Sequence, residues 1–187
     1  MDTLIYADTA HQTRVKVPLK RVLEQMKPGD IILSGSYLMP LSLLIEVLTR
    51  SRYSHAEVYL GYGNTIGAHF KGIHKQPFDG QQAWHKYFRI LRPTDVTDGI
   101  REEVAVIAES MEGCGYDFLH LFQYLWRILL GTLGKAPMLD EPGRHVCLEF
   151  AAYCWHALGV KIGGEYPDNA TGRSLVNDPR LKDMIDG

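Results

Sequence analysis

Cysteine is scarce in this sequence: Cys114, Cys147 and Cys154 are the only three among 187 residues. Such a sparse, odd-numbered set argues against a disulfide scaffold and is typical of a reducing compartment. The N-terminus also lacks a basic segment followed by an apolar core, the pattern that marks a signal peptide. These absences predict a cytoplasmic protein, with a secreted effector left open as an alternative.

The sequence also lacks a large excess of charge of one sign and lacks long apolar runs. The formal net charge is -2 and no long acidic or basic block occurs, so we expect no nucleic-acid partner. No apolar run reaches the roughly 18 residues of a transmembrane helix. Since linkers and repeats are also lacking, we predict a single domain over residues 1–187. It divides into a core at 27–160, an N-terminal extension at 1–26 and a C-terminal tail at 161–187.

The stretch that comes nearest to a membrane span is residues 118–134, which His120, Gln123 and Arg127 interrupt. Its leucines and aromatic residues recur at helical spacing, which predicts a core helix. The alternative is that the surplus apolar face of 118–133 lines an acyl-chain groove or makes peripheral contact with a membrane.

Periodicity and turn residues predict short strands early in the chain and long helices late, the order of an α+β domain. The predicted helices cover 17–27, 39–51, 97–113 and 145–158, and the predicted strands cover 31–33 and 87–93. Residues 54–73 are predicted to form a hairpin. The tail is polar and turn-rich, and its sequence allows a short helix at 179–185.

Cys147 falls at the predicted start of the helix in "RHVCLEFAAYCWHALGV". Backbone amides are unpaired at a helix start and the dipole end is positive, which biases a thiol towards the nucleophilic thiolate and can stabilise an oxyanion. Cys154 lies two turns further on, where packing is the expected role. Cys114 follows a helix-ending glycine and is also interpreted as structural. Cys147 is therefore the candidate nucleophile, and an inert core residue is the alternative.

A thiolate nucleophile needs a base within hydrogen-bond reach and a group that orients the base. His55 opens the strand in "YSHAEVYLG", and strand alternation places Glu57 on the same face. A three-residue hairpin loop would pair His55 with His69 and keep the apolar face continuous, whereas a two-residue loop would break that face. Packing favours the first register, which makes His69 the leading candidate for orienting His55 and Glu57 the second.

Four short motifs follow one another in a characteristic order. They are "GDIIL" (29–33), "YSHAEVYLG" (53–61), "GYDF" (115–118) and "CLEF" (147–150). In this order they resemble the circularly permuted branch of the NlpC-type papain-like superfamily, the YiiX/YaeF-like proteins, which are related to the lecithin:retinol acyltransferase-like enzymes. The resemblance covers roughly residues 27–160, and histidine before cysteine is its permuted feature. It implies an α+β, permuted papain-like fold in which a small antiparallel sheet packs against helices.

By this resemblance Cys147 matches the family's nucleophile and His55 its catalytic histidine. Glu149 matches a glutamate that has a structural or supporting role. Tyr116 and Asp117 match a pair implied to be structural or to line the pocket.

The family's third polar member falls in "TIGAHF", where His69 is the candidate. The sequence departs from the family pattern twice: Leu148 replaces the usual serine, and Gly67 stands where the acidic or imidazole member is expected.

The sequence thus predicts a cysteine-dependent hydrolase that acts on an amide or ester through a thioacyl intermediate on Cys147. The expected partners are a peptide, possible cell-wall fragments included, an amino-acid amide or a lipid-like small substrate. A lipid acyltransferase or esterase and a non-catalytic binding module are the alternatives. A zinc site of His55, His69 and Cys147 lacks any His-x-x-x-His or Cys-x-x-Cys spacing, so we expect neither metal nor cofactor.

Overall fold

An eight-stranded, mostly antiparallel sheet forms the centre of the fold in the computed structural model of the protein. The structure describes residues 3–9, 14–36, 40–69, 71–78, 86–116, 126, 130, 144–145 and 147–185. Within these ranges the chain also forms five α-helices, which makes this a mixed α+β protein.

The strands of the main sheet follow the order β2-β1-β7-β3-β4-β5-β6, with β10 paired to β7. Their bounds are β1 Leu4–Asp8, β2 Arg14–Pro18, β3 Ile31–Ser36, β4 His55–Gly61, β5 Asn64–His69, β6 Gly72–Pro77, β7 Lys86–Pro93 and β10 Leu181–Asp183. A separate two-stranded sheet joins β8 Gly115–Tyr116 to β9 Arg144–His145. The pairs β1–β7 and β8–β9 are parallel.

The helices fall between and after these strands. They are α1 Leu19–Gln25, α2 Pro40–Thr49, α3 Asp98–Ser110, α4 Cys147–His156 and α5 Gly172–Val176. The helices predicted at 17–27, 39–51, 97–113 and 145–158 and the early hairpin are confirmed to within a few residues. Among the described residues, each helix is too short or too polar to traverse a bilayer.

Apolar layers cover both faces of the central strands. In β3, Ile31 and Leu33 pack with α4, whereas Ile32 belongs to a second cluster that α1 and β1 cover. A strand buried on both sides reads as a continuous apolar run, which is why "IIL" identifies it in the sequence. The two layers fix the position of β3 and of its neighbour β4.

The two ends of the chain differ from the prediction. Residues 1–26, expected to be an extension to the core, contribute β1 and β2 to the sheet. The short helix at 179–185 is wrong, because residues 181–183 pair with β7 as a strand. The sheet is accordingly larger than the small one that the sequence predicted.

Helix α4 is anchored to the start of β3. Trp155 is fully buried and its indole N–H donates to the carbonyl oxygen of Gly29 over 3.2 Å. Gly29 has a φ of 82°, and a Cβ there would lie 3.0 Å from the Trp155 ring, so only glycine suits this contact. Because Phe150 is also fully buried, the helix that carries Cys147 is held firmly against the sheet.

Candidate active site

Cys147 is the first residue of α4, as the sequence predicted, and its side chain is buried. Its thiol donates a hydrogen bond to the carbonyl oxygen of Ser54, with an Sγ–O distance of 3.5 Å. Ser54 directly precedes His55, so this contact brings the start of the helix against the start of β4. Two segments separated by 93 residues meet here.

The β4–β5 hairpin combines the two registers considered from the sequence. Val58 pairs with Ile66, as the three-residue loop required, but the register shifts so that Gly61 pairs with Asn64. The turn itself has two residues, Tyr62 and Gly63, with φ values of 51° and 75°. Positive φ at both positions is typical of a type I′ turn, and the bulge before it restores the apolar register.

This register brings His55, Glu57 and His69 together. Nε2 of His55 lies 3.2 Å from Oε1 of Glu57, and Nε2 of His69 lies 3.5 Å from the same oxygen. The two imidazole rings are in contact, with centroids 4.7 Å apart. Glu57 is therefore the group hydrogen-bonded to His55, while His69 contacts both of them.

Gly67 provides the space that the Glu57 side chain occupies. A Cβ at position 67 would come within 2.8 Å of Cγ of Glu57, closer than two carbon atoms can approach. The resemblance led us to expect an acidic or imidazole residue at position 67. In this chain a carboxylate reaches that region from the neighbouring strand instead.

Gln76 is a member of the site that the sequence did not predict. Its Nε2 donates to Oε1 of Glu57 over 2.8 Å and lies 3.4 Å from Nε2 of His69. Gln76 belongs to β6, next to β5 in the sheet, and the ring of His74 in the same strand contacts the His69 ring with centroids 4.4 Å apart. The alternation of His74 and Gln76 in "GIHKQP" was the available signal.

The electrostatics favour a charged imidazole. Burial by itself would lower the pKa of His55, since it disfavours the cation. The charge and hydrogen bond of Cys147, followed by those of Glu57, outweigh burial and raise the pKa of His55 to about 10. Burial would also raise the pKa of Glu57, but the hydrogen bond and charge of His55 lead the effects that lower it to about 2. At neutral pH an imidazolium thus lies against a carboxylate.

Comparison with known proteins addresses the fold. A scan against models of known protein families finds no match, and a search of curated proteins finds none. Among solved structures, the crystal structure of metalloprotein YiiX from Escherichia coli O157:H7 matches with a TM-score of 0.64. The fold is YiiX-like. The two chains are 17% identical, and the match covers 87% of this chain and 98% of that one.

The remaining predicted residues are distributed over the YiiX-like fold as follows. Glu149 lies buried in the first turn of α4, where a carboxylate is favourable beside the free amides. Cys154 is fully buried and burial raises the pKa of its thiol, in keeping with its interpretation as a packing residue. Tyr116 ends β8 and its backbone pairs with His145; its side chain, and all of Asp117, lie outside the described residues.

The apolar stretch 118–134 lies outside the described residues except at two positions. Trp126 and Leu130 are joined by a backbone hydrogen bond of 3.0 Å, and both side chains are more than half exposed. The prediction of a core helix or an acyl-chain groove at this stretch stays a prediction.

Proposed function

We propose that the protein is a cysteine-dependent hydrolase of an amide or ester bond, on a permuted papain-like variant of its fold. Cys147 is the nucleophile, His55 the base and Glu57 the group that orients the base. The observation that carries the proposal is that Cys147 contacts the backbone carbonyl of Ser54, the residue directly before His55, while Glu57 is hydrogen-bonded to Nε2 of His55. Covalent catalysis needs a nucleophile, a base within reach of it and a group that orients the base.

The two ring nitrogens of His55 can serve these two roles separately. Glu57 occupies Nε2, which leaves Nδ1 to exchange a proton with the thiol. In the imidazolium form Nδ1 holds the proton that it exchanges with Cys147, and the thiolate sulfur attacks the substrate carbonyl carbon. The tetrahedral intermediate collapses when the C–N or C–O bond breaks and the imidazolium returns its proton to the leaving group. Water, deprotonated by His55, then hydrolyses the thioester and regenerates the thiol.

Amide-bearing peptides, including cell-wall-derived ones, are the substrate class that we place first, with lipid esters second. The permuted order, His55 before Cys147, supports the relation to NlpC-type enzymes. The two exposed apolar side chains of Trp126 and Leu130 are the observation that keeps the lipid class open. Hydrolysis of a dipeptide amide panel against a lipid ester panel separates the classes.

Labelling with an electrophilic thiol probe at neutral pH tests the nucleophile. We expect rapid labelling of the native protein, loss of that labelling in Cys147→Ala, and no change in Cys154→Ala, the matched control from the same helix. Equal labelling of native protein and Cys147→Ala would refute the assignment. Native labelling at the rate of a free thiol in solution would favour a binding module on the same scaffold.

A metal site at His55, Glu57 and His69 is a second candidate. A ligand atom from each of His55, Glu57 and His69 lies within 4.8 Å of the others. Two imidazoles and a carboxylate are a donor set that zinc accepts, and the similar structure is that of a protein called a metalloprotein. Such an ion would act as a Lewis acid on a carbonyl. Elemental analysis of the purified protein and of Glu57→Ala decides: a stoichiometric metal that the variant loses would replace the thiol mechanism.

A further inference from the structure

A second charged region lies along the segment that joins α2 to β4. A cavity of about 320 Å³ opens there, and Arg50, Arg52, Arg89 and Arg173 contribute to its lining. We call these four residues and the cavity they line the arginine pocket. The chain carries a net charge of only -2, so a cluster of four arginines does not follow from its composition.

The positive charge of this pocket is only partly neutralised. Arg89 is buried and pairs with Asp183 over 2.6 Å, and Arg52 lies 3.7 Å from a carboxylate oxygen of Asp8. Carboxylates are thus in contact with two of the arginines. Among the residues that the structure describes, no carboxylate lines the cavity itself.

Arg50 and Arg173 are the other two arginines of the pocket. Both are exposed at the cavity, and neither forms an ion pair with a carboxylate of the described ranges. Exposed like charges held close together repel one another in the absence of a counter-charge. Among the described residues, the pocket therefore presents two guanidinium groups without a carboxylate partner beside two paired ones.

The backbone behind the pocket is held in place. The hydroxyl of Tyr53 donates to Oδ2 of Asp8 over 3.0 Å, and that of Tyr87 donates to the carbonyl oxygen of Arg52 over 2.6 Å. At the start of α5, a Cβ on Gly172 would collide with Oγ of Ser51 and the carbonyl oxygen of Tyr53. This close approach sets the segment of Arg173 against the segment of Arg50 and Arg52.

We propose that the arginine pocket binds the phosphate group of a small molecule, a phosphate monoester. A dianion matches the two uncompensated charges, and its oxygens suit the forked donors of guanidinium groups better than a single ammonium would. A volume of about 320 Å³ is at the lower end of small-molecule sites, which span about 300–1,000 Å³. It suits a phosphate with a short organic group. The inference stands apart from the reaction proposed above, since it uses none of its residues.

Isothermal titration calorimetry with inorganic phosphate and with glycerol phosphate, at constant ionic strength, tests the proposal. We expect saturable binding to the native protein, weakened about tenfold by Arg173→Ala and by Arg50→Gly, roughly the contribution of one charge-assisted hydrogen bond. Glycine suits the φ of 49° at Arg50, so that variant should keep its thermal stability. Arg21→Ala, which removes an exposed arginine of α1, is the control and should bind like the native protein.

Vesicles that contain phosphatidic acid distinguish a lipid headgroup from a soluble ester. Cosedimentation that Arg173→Ala abolishes would identify the phosphate as a headgroup, whereas binding of the soluble probes alone would identify a free ester. Arg173→Lys keeps the charge without the fork and should bind with intermediate affinity. The proposal is overturned if none of the probes binds saturably, or if both pocket variants bind as well as the Arg21→Ala control.

Discussion

The side chain of Glu57 lies over Gly67 of the neighbouring strand, in the space that a Cβ at Gly67 would fill. No φ in the left-handed region is present at Gly67, so its backbone conformation does not require glycine. The requirement is spatial: the smallest residue on β5 admits a carboxylate from β4, and that carboxylate contacts both His55 and His69.

Gly67→Ala should displace Glu57 from His55. The added Cβ would lie 2.8 Å from Cγ of Glu57, and relief of such overpacking costs about 1–3 kcal/mol. We expect a lower melting temperature and slower labelling of Cys147 by a thiol probe. Gly99→Ala is the control: its Cβ would meet nothing nearer than 3.8 Å, and alanine favours the helix it occupies. Native labelling and stability in Gly67→Ala would show that Glu57 needs no such space.

Replacing Glu57 should slow labelling of the Cys147 thiol more than replacing His69 does. Glu57 is hydrogen-bonded to His55 at 3.2 Å, whereas the His69 ring contacts the same ring in a tilted arrangement. We expect Glu57→Ala to reduce the rate of iodoacetamide labelling at pH 6 roughly tenfold, on the order of one charge-assisted hydrogen bond. His69→Phe keeps a ring in place and should stay within a factor of about three. The reverse order would make His69 the orienting group.

The charged pair of His55 and Glu57 should stabilise the fold most in mildly acidic solution. The pKa of His55 is raised from 6.5 to about 10, so its contribution is complete below pH 6.5 and is lost as pH rises through 10. The pKa of Glu57 is lowered from 4.5 to about 2, so its contribution is complete above pH 4.5 and is lost as pH falls towards 2.

We therefore expect the difference in melting temperature between native protein and Glu57→Gln to be largest between pH 4.5 and 6.5. NMR titration checks the cause. His55 should titrate well above the usual pH and move downwards in Glu57→Gln. His156, whose pKa burial lowers, should titrate below the usual pH in both proteins. The proposed pair would be contradicted if the titration midpoint of His55 were the same in the native protein and in Glu57→Gln.

The buried pair of Asp30 and Arg92 should matter far more than an exposed one. Both guanidinium contacts to the fully buried Asp30 carboxylate are 2.6–2.7 Å, so Arg92→Ala leaves a buried charge poorly compensated, at a cost of about 3–5 kcal/mol. Lys161→Ala removes an exposed partner of Glu165, which solvent screens, and should leave the denaturation midpoint nearly unchanged. Chemical denaturation measures both, and similar midpoints would show that the buried pair is not stabilising.

The hairpin could be predicted from the sequence because its evidence is local. Ala56, Val58 and Ile66 alternate with polar residues, and a register that buries them brings His55 and His69 to one face. The helix start at Cys147 is equally local. Once these two elements pack together, most of the candidate site is in place.

What the sequence did not reveal depends on distant partners. Residues 181–183, "LKD", have no strand-like alternation and become a strand because β7 offers a free edge. The contribution of Gln76 likewise depends on β6 lying beside β5. The contact of Glu57 with His55 depends on the missing side chain at Gly67, and the space over a glycine is not visible in a periodicity.

Strand β7 receives both ends of the chain along one edge: β1 pairs at Phe88, and β10 pairs at Leu91 to Pro93. During synthesis this edge therefore stays incomplete until residues 181–183 have left the ribosome. Contacts of such long sequence separation slow folding, and an unpaired edge invites association with other chains. Until then the nascent protein carries Cys147 beside a sheet that still lacks one of its strands.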